Sequence, residues 1–536
     1  MEFRTAVIQA FQHGLSALTH RELGQEVARL ILPTDSVPLY AAQHLLFKAY
    51  AFRMLMEQPG PRPLTERVQH LNELVATQER ETGPYLPDRL GPMGDIDSHP
   101  DGTAGLFFLT SGESAPRSGS EASSGHLRKV ADLLISEDMI HGPHAPKYQE
   151  MRHPDLLEIS DLSNNNFDEE TVLISLFLAD RIQNRVGEYS TRTTLLSCHV
   201  TSQGLDAGGV LLDVPGGLFR VHDPEQETSH AWTWTVFPVA QVREEVNANP
   251  GGSPVTLYGA ELLEQNSQLS GVTADQLQRW WAEGKRHLCI WPHGPLHYLP
   301  FHLLHVDGRP LADDWIVTTV ASSAQCLPQR ADAALRRHRL LVAGSAAGGT
   351  RYGLPEQPQI AAHVSNMAEQ IPGARALEAG ATTARALMEA VTGIDYLHVA
   401  AHGSHDAEAP WYQCLYLDPD ATGEGRLFAH QILGLDLRCV DLVTLSACES
   451  ALGRYDLNDN LRGLSAAFMM AGASTVIGVL WPVTAPVATL FYEELYRCLL
   501  AGATKRDAFR HAQQATRISF PHYRDWGAFT LTGRWQ

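Results

Sequence analysis

The chain is poor in cysteine and in positive charge, and each shortage excludes something. Seven cysteines stand in 536 residues, at Cys198, Cys289, Cys326, Cys414, Cys439, Cys448 and Cys498. The number is odd and no two form C-x-x-C, so neither a disulfide framework nor a paired-thiol redox motif is expected, and the thiols read as reduced. Lys plus Arg number 41 against 61 Asp plus Glu, a net charge of −20. So acidic a surface argues against nucleic acid as a direct substrate and against an anionic membrane as the main partner. No apolar leader opens the chain, since Arg4, His13, His20, Arg21 and Glu22 interrupt it; the expected compartment is the cytoplasm. One stretch without charge, Leu464–Tyr492, is long enough to cross a bilayer. Its small-residue run, the break at Gly472-Ala473-Ser474, the β-branched Thr475–Leu480 and then Pro482 and Pro486 read instead as a buried helix feeding a buried strand.

What is present is a globular α/β chain. Hydrophobic residues make up 44%, enough for a large core, and the length suggests about three domains at roughly 150 residues each. Residues 1–82 read as a helical module, with helical periodicity in Phe3–Leu32, Val37–Met56 and Leu64–Thr77 and breaks at Pro33 and Gln58-Pro59-Gly60-Pro61. No self-similarity stands out at the about-34-residue period of tetratricopeptide repeats. Residues 83–126 are rich in Gly, Ser and Pro, with Arg89 and Arg117 as their only Lys or Arg residues, and predict a mobile loop. From about 165 helices and strands alternate. Thr171–Val186 and Gly259–Gln268 are expected as helices, as is Thr273–Glu283. Thr193–His199, Gly209–Val214, Trp232–Val239, His287–Trp291 and Trp315–Val320 are expected as strands. Residues 336–536 repeat the pattern. Strands are expected at Arg339–Gly344, Ile394–Ala400, Val440–Ser446 and Thr475–Leu480. Helices are expected at Pro358–Gln370, Thr382–Val391, Ala429–Leu433, Asn460–Ala471, Val487–Ala501 and Thr504–Thr516. Near-continuously apolar strands separated by helices predict a mostly parallel sheet covered on both faces.

In such sheets, ligands and reactive groups collect at the carboxyl ends of strands. Two ends stand out. One apolar run finishes in His402-Gly403 and another in Ala447-Cys448-Glu449. A thiolate attacks a carbonyl and an imidazole moves the proton, so a His and a Cys facing one crevice suit peptide hydrolysis. Gly403 permits close backbone approach, and its N–H with that of Cys448 would hold an oxyanion. The glycine-rich Val342–Gly349 lacks both the G-x-G-x-x-G pattern and a P-loop lysine. His287, His293, His297, His302 and His305 cluster, but no Cys or acid pattern completes a zinc site, so neither metal nor other cofactor is expected.

Six segments occurring in order carry a resemblance: Leu288–His305 (LCIWPHGPLHYLPFHLLH), Val317–Leu327 (VTTVASSAQCL), His398–Gly403 (HVAAHG), Val443–Gly453 (VTLSACESALG), Arg462–Val483 (RGLSAAFMMAGASTVIGVLWPV) and Trp526–Gly533 (WGAFTLTG). They resemble the CHAT family of caspase-like cysteine peptidases, related to caspases, separases and gingipains, over about residues 285–536. The resemblance implies a caspase-like fold, with 336–536 as the active half and 127–335 as a linker and degenerate half. It implies His402 and Cys448 as the catalytic pair, the Gly403 and Cys448 amides as the oxyanion site, and Glu449 in a supporting role. Asp406, Trp411, Asp456, Asp459 and Trp481 fall on loops near the inferred crevice and are candidates to line a substrate pocket. The family often carries Asp just after its LW-x-V motif; here Thr484-Ala485-Pro486 follows Trp481-Pro482-Val483, which removes that acid. The family implies a protein substrate, an activating partner or ligand, and a setting in bacterial defence or programmed death. Two rival readings are a catalytically idle scaffold that acts by binding protein, and an N-terminal sensor of a small anionic messenger.

Overall fold

The computed structural model describes residues 55–56, 58–82, 119–144, 169–185, 188–202, 204–211, 267–293, 296–297, 299–322, 339–406, 409–455, 459 and 461–536. Fourteen strands matter here: β1 (Thr171–Arg185), β2 (Glu188–Thr201), β3 (Gly204–Leu211), β4 (His287–Trp291), β5 (Ile316–Thr319), β6 (Leu340–Gly344), β7 (Ala374–Ala376), β8 (Tyr396–Ala400), β9 (His402–Ser404), β10 (Cys414–Tyr416), β11 (Arg426–Phe428), β12 (Leu442–Ser446), β13 (Thr475–Val479) and β14 (Phe529–Gly533). The helices used below are α1 (Glu66–Thr82), α2 (Gly119–His141), α3 (Ala274–Ala282), α4 (Pro358–Gln370), α5 (Ala384–Ala390), α6 (Leu464–Ala471), α7 (Ala485–Leu500) and α8 (Lys505–Ser519).

One 11-stranded sheet, ordered β3-β2-β1-β4-β5-β14-β13-β12-β8-β6-β7, runs through the molecule. It is mostly parallel, with antiparallel pairs at β1–β2, β2–β3 and β13–β14. The C-terminal β14 joins the two halves. It lies antiparallel to β13 and parallel to β5, where Thr319 Oγ1 meets Thr532 Oγ1 at 2.8 Å. Alternate residues of each central strand go to opposite faces. Leu340, Val342, Tyr396 and Ile477 join a core shared with α3, α4, α7 and α8. Leu341, Ala343, Leu397 and Val443 join a second core with α1, α2, α5 and α6. Both faces are covered, which is why these strands read as unbroken apolar runs. Among the described residues no helix is long and apolar enough to cross a membrane; Leu464–Tyr492 is α6, β13 and the start of α7.

Helix starts follow local chemistry. Thr273 and Gln276 form a reciprocal capping box on α3. Thr383 and Thr504 each accept a backbone N–H at the heads of α5 and α8. Pro358 opens α4, where its missing N–H costs nothing.

Three expectations need correcting. Thr171–Val186 is not a helix: its residues Thr171–Arg185 are β1, zipped to β2 from Leu173↔Val200 to Arg185↔Glu188 and to β4 on its other edge. A short apolar run is ambiguous between a buried helix and a buried strand, and here two partner strands decide it. The loop expected over 83–126 ends earlier, because α2 begins at Gly119. Its anchors lie downstream: Ala131, Ile135 and Met139 pack into the same core as Val68 and Val75 of α1. The helix expected over Asn460–Ala471 starts only at Leu464, since Leu461–Arg462 pairs with Arg454–Tyr455 and Gly463 turns the chain at φ 121°. The expected segments Phe3–Leu32 and Trp232–Val239, and most of Val37–Met56 and of Gly259–Gln268, lie outside the described residues.

Candidate active site

The parallel register of β8 on β12 pairs Ala400 with Ser446. His402 and Cys448 each stand two residues beyond that pair, so equal steps past two adjacent strand ends bring both to the same edge. Gly403 confirms how closely the two ends approach. A Cβ there would lie 2.7 Å from the Cys448 carbonyl oxygen and 3.3 Å from the Ala447 Cβ, so any larger residue would push the strands apart. The turn after Cys448 is held by Ser450, whose hydroxyl donates to Leu445 O at 3.1 Å and accepts the Val479 N–H at 3.2 Å. Glu449 adopts φ 58°, a left-handed conformation uncommon outside glycine that keeps this turn tight.

Two features near His402 have no signature in the sequence. The ring donates from Nε2 to the Pro355 carbonyl at 2.8 Å. That bond fixes the tautomer with the hydrogen on Nε2, and the Gln357 amide approaches Nδ1 at 3.4 Å. A backbone carbonyl carries no residue type that could announce it. His398, within β8, is different: it is fully buried, 2.7 Å from Thr444 Oγ1 and 3.0 Å from His363 Nε2. Burial holds it neutral, well below the usual imidazole range. Burial, with the nearby Glu449 charge, pushes the Cys448 thiol up to about 11, so at neutral pH the free site holds a protonated thiol.

A cavity of about 530 Å³ opens beside Cys448, between the first turns of α4 and α7. Ile360, Val479 and Ala488 supply apolar wall, and Gln357, His363 and Thr484 supply polar groups. Trp411, Trp481 and Asp406 do not line it. Trp481 is buried with its indole N–H on Arg524 O at 2.7 Å. Asp406 accepts the Ala409 N–H at 2.8 Å. Trp411 turns away toward the N-terminal helices. Asp459 accepts from His297 at 3.0 Å, and Asp456 lies outside the described residues. The other clustered histidines have scattered partners: His287 lies between Thr171 and Thr318, His302 bonds Gly527 O, and His305 bonds Tyr523.

The turn that follows β9 is gripped from outside. Asp132 of α2 accepts the Trp411 backbone N–H at 2.7 Å and Ser136 accepts its indole N–H at 2.9 Å, while the Tyr412 hydroxyl donates to Asn72 of α1 at 2.5 Å. Glu79 of α1 receives Arg128 at 2.7 Å and Arg426 of β11 at 2.9 Å, all three side chains being buried. Replacing Ser136 with alanine leaves the buried indole N–H unpaired. That is expected to lower stability by about 1–3 kcal/mol, read as a fall in the denaturant midpoint.

The CHAT domain family model matches residues 264–534. The chain belongs to the CHAT domain family. Its match covers β4 through β14 and therefore both strand ends that meet at the site. Curated relatives of this CHAT chain are similar over shorter stretches. Tetratricopeptide repeat protein 28 of Mus musculus is 38% identical over 102 residues, 18% of this chain and 4% of that one. Its Homo sapiens counterpart is 32% identical over 109 residues, 20% of this chain and 4% of that one. The chain thus spans only a small fraction of the length of these relatives. Among solved structures, two Saccharomyces cerevisiae separase–securin complexes are similar at a TM-score of 0.45. They share 10% and 12% identity, cover 94% and 92% of this chain, and are themselves covered to 41% and 39%.

Proposed function

We propose that this CHAT protein is a cysteine endopeptidase in which Cys448 is the nucleophile and His402 the acid–base. The observation that carries the reading is the register: an imidazole with a fixed tautomer and a thiol stand equal steps past adjacent strand ends, next to a glycine that admits close backbone approach. In the reaction His402 Nδ1 takes the thiol proton and the sulfur attacks the scissile carbonyl carbon, forming a C–S bond as the carbonyl π pair moves to oxygen. The Gly403 and Cys448 N–H groups take the oxyanion. His402 passes a proton to the leaving amine as the C–N bond breaks, and water then hydrolyses the thioester. The test is cleavage of a peptide library by the full chain beside Cys448→Ala. A library cut equally by both proteins would defeat the reading.

The same geometry favours a controlled enzyme over an open one. The thiol is raised toward its inert form, the Gln357 amide occupies the free nitrogen of His402, and α1 and α2 hold the turn leading out of the His402 strand. The N-terminal helices therefore serve as the regulatory surface on which a partner or ligand acts, and the substrate is a companion protein, in a setting of bacterial defence or programmed death. The purified full chain is expected to cut a good peptide slowly until its trigger is supplied. Full constitutive activity, unchanged by Ser136→Ala, would assign these helices to stability alone.

A further inference from the structure

The cavity beside Cys448 has no charged wall. Among its described lining residues there is no Asp, Glu, Lys or Arg. Position explains why this matters. Ser446 and Ala447, the two residues before the thiol, form one side, so a side chain next to a carbonyl held at Cys448 can enter this cavity. The segment that lacks the acid common in the family, Val483-Thr484-Ala485, forms another side. His363 also borders the cavity. It is 5% exposed, its Nε2 is committed to His398 at 3.0 Å, and its Nδ1 is buried with no hydrogen-bond partner.

We propose that this cavity is the specificity pocket and that it selects an uncharged side chain, with an apolar stem and a polar or polarisable tip, on the carbonyl side of the scissile bond. The assignment rests on the peptidase reading above. Ile360, Val479 and Ala488 pack the stem. A polar or polarisable tip would meet the uncharged polar side chains that also line the cavity, Gln357, Ser446 and Thr489. Burial holds His363 down to about 4, so it is neutral at pH 7 and offers no cation. A basic side chain would find no acid. An acidic one would find only the N-terminal ends of α4 and α7, whose partial charges fall well short of the cost of desolvating a carboxylate. Pro358 and Pro486 further remove an N–H from each of those first turns.

The test uses the full chain and four tripeptidyl acyloxymethyl ketones that differ only in the last residue, Gln, Met, Asp or Arg, with labelling at Cys448 followed by intact mass and peptide mapping. The Gln and Met reagents are expected to label about 100-fold faster than the Asp and Arg reagents. Asp or Arg labelling as fast as Gln would overturn the pocket assignment while leaving the peptidase reading standing. If no ketone labels Cys448 even over an incubation long enough to detect the slow resting cleavage expected above, although iodoacetamide at pH 9 alkylates it, the peptidase reading fails and takes this assignment with it. Ala485→Asp places a carboxylate on the wall at a helix start that tolerates one. It is expected to raise labelling by the Arg reagent about tenfold relative to Met, and an unchanged ranking would also overturn the proposal.

Discussion

Cys448→Ala is expected to reduce peptide cleavage on the order of 10⁶-fold, the scale at which a covalent mechanism loses its nucleophile, while the protein keeps its fold. The second half of the expectation follows from packing. Cys448 is half-buried and borders a cavity that already exists, so removing one sulfur opens little new void. The turn around it is held by Ser450 and by Gly403, not by the thiol. Unchanged circular dichroism and denaturant midpoint beside lost cleavage is the expected pair of results. Substantial residual cleavage would remove Cys448 from the mechanism. The raised thiol adds a pH signature. With the protonated form favoured up to about 11, only a small thiolate fraction exists at pH 7, and it grows about tenfold per pH unit. Alkylation of Cys448 by iodoacetamide should climb steadily from pH 7 to 10. Simple alkylators should reach the exposed Cys439 first, whereas a substrate-like ketone should select Cys448.

His402→Ala is expected to cost about 10²–10⁴-fold in rate with little loss of stability, and His398→Ala is expected to do the reverse. The two histidines stand four residues apart, His398 in β8 and His402 at the start of β9, and their environments differ. His402 lies beyond the strand end and donates to the Pro355 carbonyl. His398 lies between His363 and Thr444 in the core, and Thr444 in turn meets the Tyr496 hydroxyl at 2.7 Å. Removing His398 leaves a cavity and strands these buried polar groups, a loss of about 2–5 kcal/mol. Measured per folded molecule, its activity should hold. If His398→Ala abolished turnover at full stability while His402→Ala cut normally, the imidazole would be misassigned.

His402 and Cys448 stood out in the sequence because each follows an apolar run beside a small residue, and the structure sets those two strand ends side by side. The central strands β4, β6, β8, β12 and β13 were legible for the same reason, since burial on both faces leaves no alternation to misread. β1 was not. Its apolar run suits a helix or a strand equally, and pairing with β2 and β4 made the choice. The start of α2 was hidden because a Ser- and Gly-rich stretch has weak preferences of its own, and the contacts that order the helix come later along it and from α1.

Local chemistry by itself determined which side chains could react and where the parallel sheet would run, because both depend on residue type and short-range pattern. Only the tertiary structure decided which groups serve those side chains. The Pro355 carbonyl at His402, the Gln357 amide beside it, the withdrawal of Trp411 and Trp481 from the cleft and the uncharged wall formed by α4 and α7 all join residues distant in the chain. Backbone carbonyls and packing directions carry no residue code, so these features exist only once the strands have fixed their register.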